Sequence, residues 1–271
     1  MGFRLAAFAD EACPSLEGQI KALKNNGISM LEIRNTDGKN IADINKEEAK
    51  EIRKRLEDEG LSVWSLGSPY GKINITDDFE EHLDKFKRSI DVCFELNARH
   101  IRLFSFYEAK NRFDEVAERL GRFIEAAKGS GIVLCHENEK EIYGDIASDC
   151  LKIHETFPEL KAIFDPANFI QSGQDTKEAW ELLSPYVEYM HIKDALSDGS
   201  VVPAGKGEGQ LEYLLSNYKG DVLTIEPHLS VFEGLDALEG REKNKVGKYE
   251  YPDSNTAFKA ATDALKDLIG I

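Results

Sequence analysis

Long apolar runs are missing from this chain. Nothing in it approaches the roughly 20 apolar residues that a membrane-spanning helix requires. The opening MGFRLAAFADE has too short an apolar stretch for a secretory leader. A cytoplasmic protein without membrane contact is the expectation. Cysteine is scarce: Cys13, Cys93, Cys135 and Cys150 are the four in 271 residues, and no two are spaced C-x-x-C. A disulfide scaffold and a closed thiolate zinc site are thereby disfavoured, and reduced, mostly buried thiols are expected. Positive charge is also short, with 34 Lys and Arg against 50 Asp and Glu and a net charge of −16. No basic block offsets it, so a phosphate backbone would be repelled and nucleic acid is not expected as a partner. A Gly-x-Gly-x-x-Gly turn is absent after the first candidate strand, where FADEACPS stands instead, which removes the dinucleotide-binding reading. Low-complexity tracts and Pro/Gly/Ser linkers are absent too, so residues 1–271 read as one domain.

What is present alternates. RLAAFA, MLEIR, SVWSLGS, HIRLFSF, IVLCHEN, KAIFDPA, VEYMHIK and VLTIEP are short apolar runs with strand character. Between them lie amphipathic, charged segments such as KEEAKEIRKRLEDEG and DDFEEHLDKFKRSIDVCFELN, several ending in Gly or Asn. Asp77, Asp78 and Asp114 stand where helix N-termini want an acceptor. Eight strand–helix units in this length predict a (β/α)8 TIM barrel rather than an open doubly wound sheet. One long polar insertion, 233–255, interrupts the rhythm between the last strand and a closing helix at 254–270; loops of that length are usually functional or disordered.

Four consecutive candidate strands end in a metal-type ligand: Glu137 in IVLCHEN, Asp165 in KAIFDPA, His191 in VEYMHIK and Glu226 in VLTIEP. Each lies about one strand–helix unit after the last, so neighbouring strands deliver them to one rim, the carboxyl end where barrel enzymes place their chemistry. Taken singly, His191 reads as a hydrogen-bonded core histidine, Asp165 before its proline as a turn-former, and either glutamate as half-exposed at a loop mouth. Four such coincidences in a row point instead to one site, in which a divalent cation makes three carboxylates tolerable together.

The motifs HENEKEIYGD, FDPANF, MHIKDA and LTIEPHL, in this order and spacing, resemble those of the sugar phosphate isomerase/epimerase group of xylose-isomerase-like TIM barrels. The resemblance also takes in DEACPSLEGQIKALKNNGISMLEIRNTDGKN and SPYGKINITDDFEEHLDKFKRSI, and so runs over nearly the whole chain. It implies that Glu137, Asp165, His191 and Glu226 bind one divalent ion, commonly Mn2+, Mg2+, Co2+ or Zn2+. It also implies that, as in the group's ketose epimerases, Glu137 and Glu226 exchange protons with substrate.

Three oxygen ligands and an imidazole suit a hard or borderline cation with open positions for a carbonyl and an adjacent hydroxyl. Proton abstraction by Glu137 or Glu226 would then give an enediolate, re-protonated to an isomer or an epimer of a sugar or sugar phosphate. Around them, Lys193, Asn168 and His228 are candidate substrate contacts, Asn168 also orienting Asp165 as an alternative. Arg102 either caps the barrel interior through an ion pair or neutralises substrate charge. Glu32 and Arg34 alternate onto one face of their strand and read as a mutual pair; Asp194 points away from the site and His136 faces outward as a structural residue. GKGEG, 205–209, reads as a flexible turn whose backbone N–H groups could approach a phosphate. The alternative chemistry is dehydration of a keto-polyol of the inosose type on the same site. An endonuclease of the same superfamily, with its histidine-rich metal cluster, and a non-catalytic sugar-binding protein rank below it. Specificity would come from NTDGKN, GSPYGK, FSFYEAKN and the 233–255 insertion. Assembly into a homo-oligomer is left open.

Overall fold

Each predicted strand becomes a run of four to six residues with nearly every side chain buried, one set inside the barrel and the other under the helices. The computed structural model describes residues 2–230 and 249–271. Its barrel strands are β1 (Arg4–Ala7), β2 (Met30–Ile33), β3 (Ser62–Leu66), β4 (His100–Leu103), β5 (Val133–Glu137), β6 (Lys161–Phe164), β7 (Val187–Ile192) and β8 (Val222–Ile225). All pair in parallel with their sequence neighbours, and β1 pairs with β8 from Arg4 opposite Val222 to Ala7 opposite Ile225, so the sheet closes. The predicted TIM barrel is the fold.

The helices are α1 (Leu16–Asn25), α2 (Lys46–Asp58), α3 (Phe79–Glu95), α4 (Phe113–Ala127), α5 (Ala147–Thr156), α6 (Pro166–Gln171), α7 (Thr176–Leu183), α8 (Leu211–Asn217) and α9 (Ser254–Ile269). Local chemistry starts several of them. The Ser15 hydroxyl accepts from Gly18 N–H, Asn45 and Glu48 form a reciprocal capping box, and Asp253 accepts from Thr256 N–H. Asp78 caps α3 as expected. Asp77 and Asp114 do not cap: Asp77 accepts from Asn74 N–H in the preceding turn. Asp114 lies inside the first turn of α4, where its charge suits the helix dipole. The closing helix spans Ser254–Ile269. Most of the 233–255 insertion lies outside the described residues. Among the described residues no helix is long and apolar enough to cross a membrane, and the four cysteines are free thiols.

One glycine brings a loop to the carboxyl rim. Gly71 has φ 93°, and a Cβ there would stand 2.0 Å from the Phe104 carbonyl oxygen. Only glycine allows the loop after β3 to lie against the loop after β4 in this way, with Phe104 N–H donating to Tyr70 O and Phe106 N–H to Gly71 O. Lys72 follows directly, in the loop GSPYGK.

Candidate active site

The strand ends build the site. Glu137 is the last residue of β5, and Asp165 follows β6 as the N-cap of α6, where its Oδ1 accepts from Asn168 N–H at 3.1 Å. His191 lies on β7, and Glu226 follows β8. Pro227 carries no N–H to extend the ladder, so the pairing stops there. One ligand atom from each of the four lies within 4.8 Å of the others, and all four side chains are buried.

The imidazole organises them. His191 Nδ1 is 2.8 Å from Glu137 Oε1 and 3.5 Å from Glu226 Oε2, while Nε2 is 3.2 Å from Glu32 Oε2. Tyr189 OH donates to Glu32 Oε1 at 2.8 Å and meets Ser65 Oγ at 3.0 Å. Glu32 thus fixes the ring so that Nδ1 faces the carboxylates. Burial pulls the His191 pKa down, but Glu137 and Glu32 outweigh it and hold it well above the usual range. An imidazolium is the ring's own answer to this negative field; a cation at Nδ1 would displace that proton.

Each glutamate divides its oxygens. Glu137 Oε2 accepts from Arg102 Nη1 at 3.0 Å, and Glu226 Oε1 from Arg34 Nη1 at 3.3 Å, while the other oxygens turn toward His191. The Phe8 ring carries both guanidinium groups, their carbons 4.4 Å (Arg34) and 5.0 Å (Arg102) from its centroid, and meets His191 edge-on. Lys193 Nζ bridges Asp165 Oδ2 at 2.8 Å and Glu226 Oε2 at 3.1 Å. Burial raises the Glu226 carboxyl, yet Lys193, His228 and His191 together hold it well below the usual carboxylate range. Burial pushes Asp165 up to about 7 against the pull of Lys193, with Glu226 and Glu137 adding to the rise.

The donor set fits a divalent cation. Asp165 Oδ2 is buried and accepts no hydrogen bond of good geometry even with Lys193 beside it. Among the described residues, the carboxylates of Asp10, Glu11, Glu32, Glu137, Glu139, Asp165 and Glu226 outnumber the bases Arg34, Lys72, Arg102, Lys140 and Lys193 by two. Burial pushes two of these carboxyls up, Asp165 to about 7 and Glu11 to about 8. One divalent ion would close the difference.

Above the tetrad a cleft holds about 10 Å³ of free space, the size of one water or ion. A roomier groove of about 320 Å³, lined in part by Ile124, Ile132 and Leu160, lies at the opposite end of the barrel away from the titratable cluster.

The other predicted residues fall as follows. Arg102 makes the ion pair with Glu137 and also lines the cleft. Asn168 orients Asp165 through its N–H and donates its side-chain amide to Asn138 O at 3.0 Å, while Asn138 donates to Asp165 O. His228, at φ 44°, places Nε2 3.3 Å from Glu11 Oε1 and 3.5 Å from Glu226 Oε1. His136 faces away from the interior and meets Ser105 Oγ, a structural role as expected. Two readings are corrected. Glu32 and Arg34 do not pair: Glu32 serves His191, and Arg34 binds Asp10, Glu11 and Glu226. The glycines of GKGEG are turned to the protein itself, since Gly205, Gly207 and Gly209 N–H all donate to the Asp194 carboxylate at 2.9 Å. A Cβ at Gly207 would stand 2.3 Å from Asp194 Oδ1, so these glycines serve close approach. Sequence reasoning missed Asp10, Glu11, Asn138, Lys72 and Lys140. For Asp10 and Glu11 the signal was a pair of acids closing an apolar strand, the same signal that marked Glu226.

The family model described as xylose isomerase-like TIM barrel matches residues 20–228. No curated protein matches the chain. Among solved structures, L-ribulose 3-epimerase is 18% identical, with TM-score 0.75, over 100% of this chain and 95% of its own. The probable 3-DHS dehydratase AsbF of Bacillus anthracis is 17% identical, with TM-score 0.72, over 98% and 99%. A xylose isomerase-like TIM barrel protein of Mycobacterium smegmatis in complex with magnesium is 14% identical, with TM-score 0.71, over 100% and 97%. At such identities the likeness carries the fold.

Proposed function

The chain belongs to the xylose isomerase-like TIM barrel family, and on that premise we propose that it is a divalent-metal-dependent isomerase or epimerase of a sugar or sugar phosphate. One observation carries the reading: three carboxylates and an imidazole converge, buried, from four successive strand ends. Glu137, Asp165, His191 and Glu226 would hold the ion. A bound ion would supply Lewis-acid stabilisation of the negative charge that develops at a substrate carbonyl oxygen.

The protein's own groups do the rest. Glu137 and Glu226 flank His191 Nδ1, and Arg102 and Arg34 fix the second oxygen of each. Either glutamate can take the proton from the carbon beside the carbonyl, and the other can return one to the opposite face, which inverts that carbon. A single glutamate returning the proton to the adjacent carbon isomerises instead. Asn168 keeps Asp165 oriented, and Lys193 and His228, both on the cleft wall, supply donors for substrate hydroxyls.

The test is metal uptake followed by proton exchange. After chelation the protein should take up one Mn2+ per chain, and His191→Ala should lose it. In deuterated water, a panel of ketoses, aldoses, their phosphates and keto-inositols should include one that gains deuterium next to its carbonyl. No uptake, or uptake unaltered in His191→Ala, overturns the site. An unsaturated product in place of a deuterated isomer or epimer would make the chain a dehydratase.

A further inference from the structure

One imidazole far from the tetrad serves the loop that walls the cleft. Gly71 N–H donates to His82 Nε2 at 2.9 Å, so that nitrogen carries a lone pair and the neutral ring keeps its proton on Nδ1. His82 stands on α3, half-buried beside the rings of Tyr70 at 5.3 Å, Phe123 at 5.9 Å and Phe79 at 6.3 Å. Burial pushes its pKa down to about 4, and Lys85 on the same helix and Arg119 on α4 add to the fall. On the loop the titratable group that meets it is Tyr70, whose hydroxyl is bonded to Ser89 Oγ. The bond is made where the path of the loop is most constrained. Gly71 has φ 93° and its carbonyl accepts from Phe106 N–H at 3.0 Å, while Tyr70 O accepts from Phe104 N–H at 2.8 Å. Lys72 comes next and lines the cleft, with Nζ 2.8 Å from Glu139 Oε2 and 4.4 Å from the Phe104 ring centroid. The same ring lies 4.9 Å from the Arg102 guanidinium, which pairs with Glu137. A continuous path of bonded or touching groups thus runs from α3 to the tetrad.

We propose that His82 is a positioning residue for the active-site cleft: its Nε2 lone pair latches Gly71 and thereby holds Lys72 and Phe104 in place. Its role in catalysis rests on the reading of that cleft as the active site; the latch itself does not. Gly71 is buried, and a buried N–H that loses its acceptor is unfavourable, so the loop gives way when the acceptor is lost. Substitution removes it, and so does acid. In an imidazolium both ring nitrogens carry protons, and Nε2 then confronts the Gly71 N–H with a proton of its own. An opened loop returns the ring toward its ordinary 6.5, so the open form takes the proton more readily. The latch is therefore closed at neutral pH and loosens as the pH falls toward about 4.

Amide hydrogen exchange of the full chain reads the latch without substrate or metal. His82→Phe keeps an aromatic ring beside Tyr70, Phe79 and Phe123 and removes the acceptor. His82→Gln supplies a side-chain carbonyl in its place and does not titrate. Protection of the Gly71, Phe104 and Phe106 amides should fall about tenfold in His82→Phe and largely return in His82→Gln, with the amides of α9 unchanged in both. In the wild type the same three amides should lose protection between about pH 6 and about pH 4, and in His82→Gln they should not. At the cleft, acetylation of Lys72 by acetic anhydride, mapped by mass spectrometry against exposed Lys128, should be faster in His82→Phe than in the wild type or His82→Gln. Unaltered protection in His82→Phe, no recovery in His82→Gln, or an acid loss equal in wild type and His82→Gln would each overturn the latch. A loss spread equally over α9 would overturn it too, by making His82 a residue of general stability. Loosened amides with unaltered Lys72 acetylation would overturn its role at the cleft. Mn2+ uptake scores the metal centre separately, and its absence would leave these measurements to decide the latch.

Discussion

At the amino end of the barrel interior Ala6, Met30, Cys135, Ile163, Tyr189 and Val222 pack as an apolar layer. At the carboxyl end Glu137, Asp165, His191 and Glu226 crowd together with arginines and a lysine around them. The same strands make both. On three of them the two chemistries are only two residues apart, Cys135 and Glu137, Ile163 and Asp165, Tyr189 and His191, because alternate side chains share one face of a strand. The apolar layer needs only shape and volume from its residues. The ionic layer needs every charge to have a partner, since an isolated buried carboxylate costs several kcal/mol. Tyr189 joins the two, its ring in the lower layer and its hydroxyl on Glu32. Stability should therefore concentrate at one end and chemistry at the other.

The largest expected effect separates them. Glu137→Gln or Glu226→Gln should lower turnover at least about a hundredfold while cooperative unfolding is retained, because glutamine keeps the shape and can still accept from its arginine. Steady-state rates beside thermal melts check it; two variants with near-normal turnover would show that neither glutamate moves the proton. The converse substitution, Ile163→Ala in the apolar layer, should cost about 2–5 kcal/mol of stability. Its folded fraction should keep turnover within a few fold. A large loss of turnover in that variant would break the division between the two ends.

The helical jacket offers an independent contrast. His154 on α5 is buried, its Nδ1 at 3.0 Å from Leu160 O and its ring stacked on Tyr186. Burial pushes its pKa down from 6.5 to about 4. The unfolded chain therefore binds this proton more readily than the folded one. The stability it preserves is fully present above about pH 6.5 and is lost as the pH falls toward about 4, on the order of 3 kcal/mol. Denaturation midpoints at neutral and acid pH should show a flatter acid loss in His154→Phe, which keeps the stacking and removes the titration; an unchanged slope would assign the acid sensitivity elsewhere. The smallest effect concerns the joint between the layers. Glu32→Gln should weaken Mn2+ binding about 10–100-fold by loosening the His191 ring, and Tyr189→Phe should weaken it less. Equilibrium dialysis reads both, and full affinity in Glu32→Gln would remove Glu32 from the site.

The strand–helix rhythm, the eight strands and the four polar residues at the strand ends were legible in the amino-acid sequence, because each depends on local periodicity and on a polar residue closing an apolar run. The partners of those four residues were not. Arg34 and Glu226 are 192 residues apart, and they meet only because β1 and β2 close the barrel against β8. The same closure brings Asp10 and Glu11 to Arg34, and folding within one strand–helix unit turns GKGEG onto Asp194. Lys72 reaches the cleft through a contact that Gly71 allows, a backbone event that no side-chain pattern announces. The sequence by itself determined which residues stand at the strand ends, through alternation along each strand. Which charges neutralise which was decided only by the tertiary structure, because buried electrostatics depends on distances across the barrel that separation along the chain does not set.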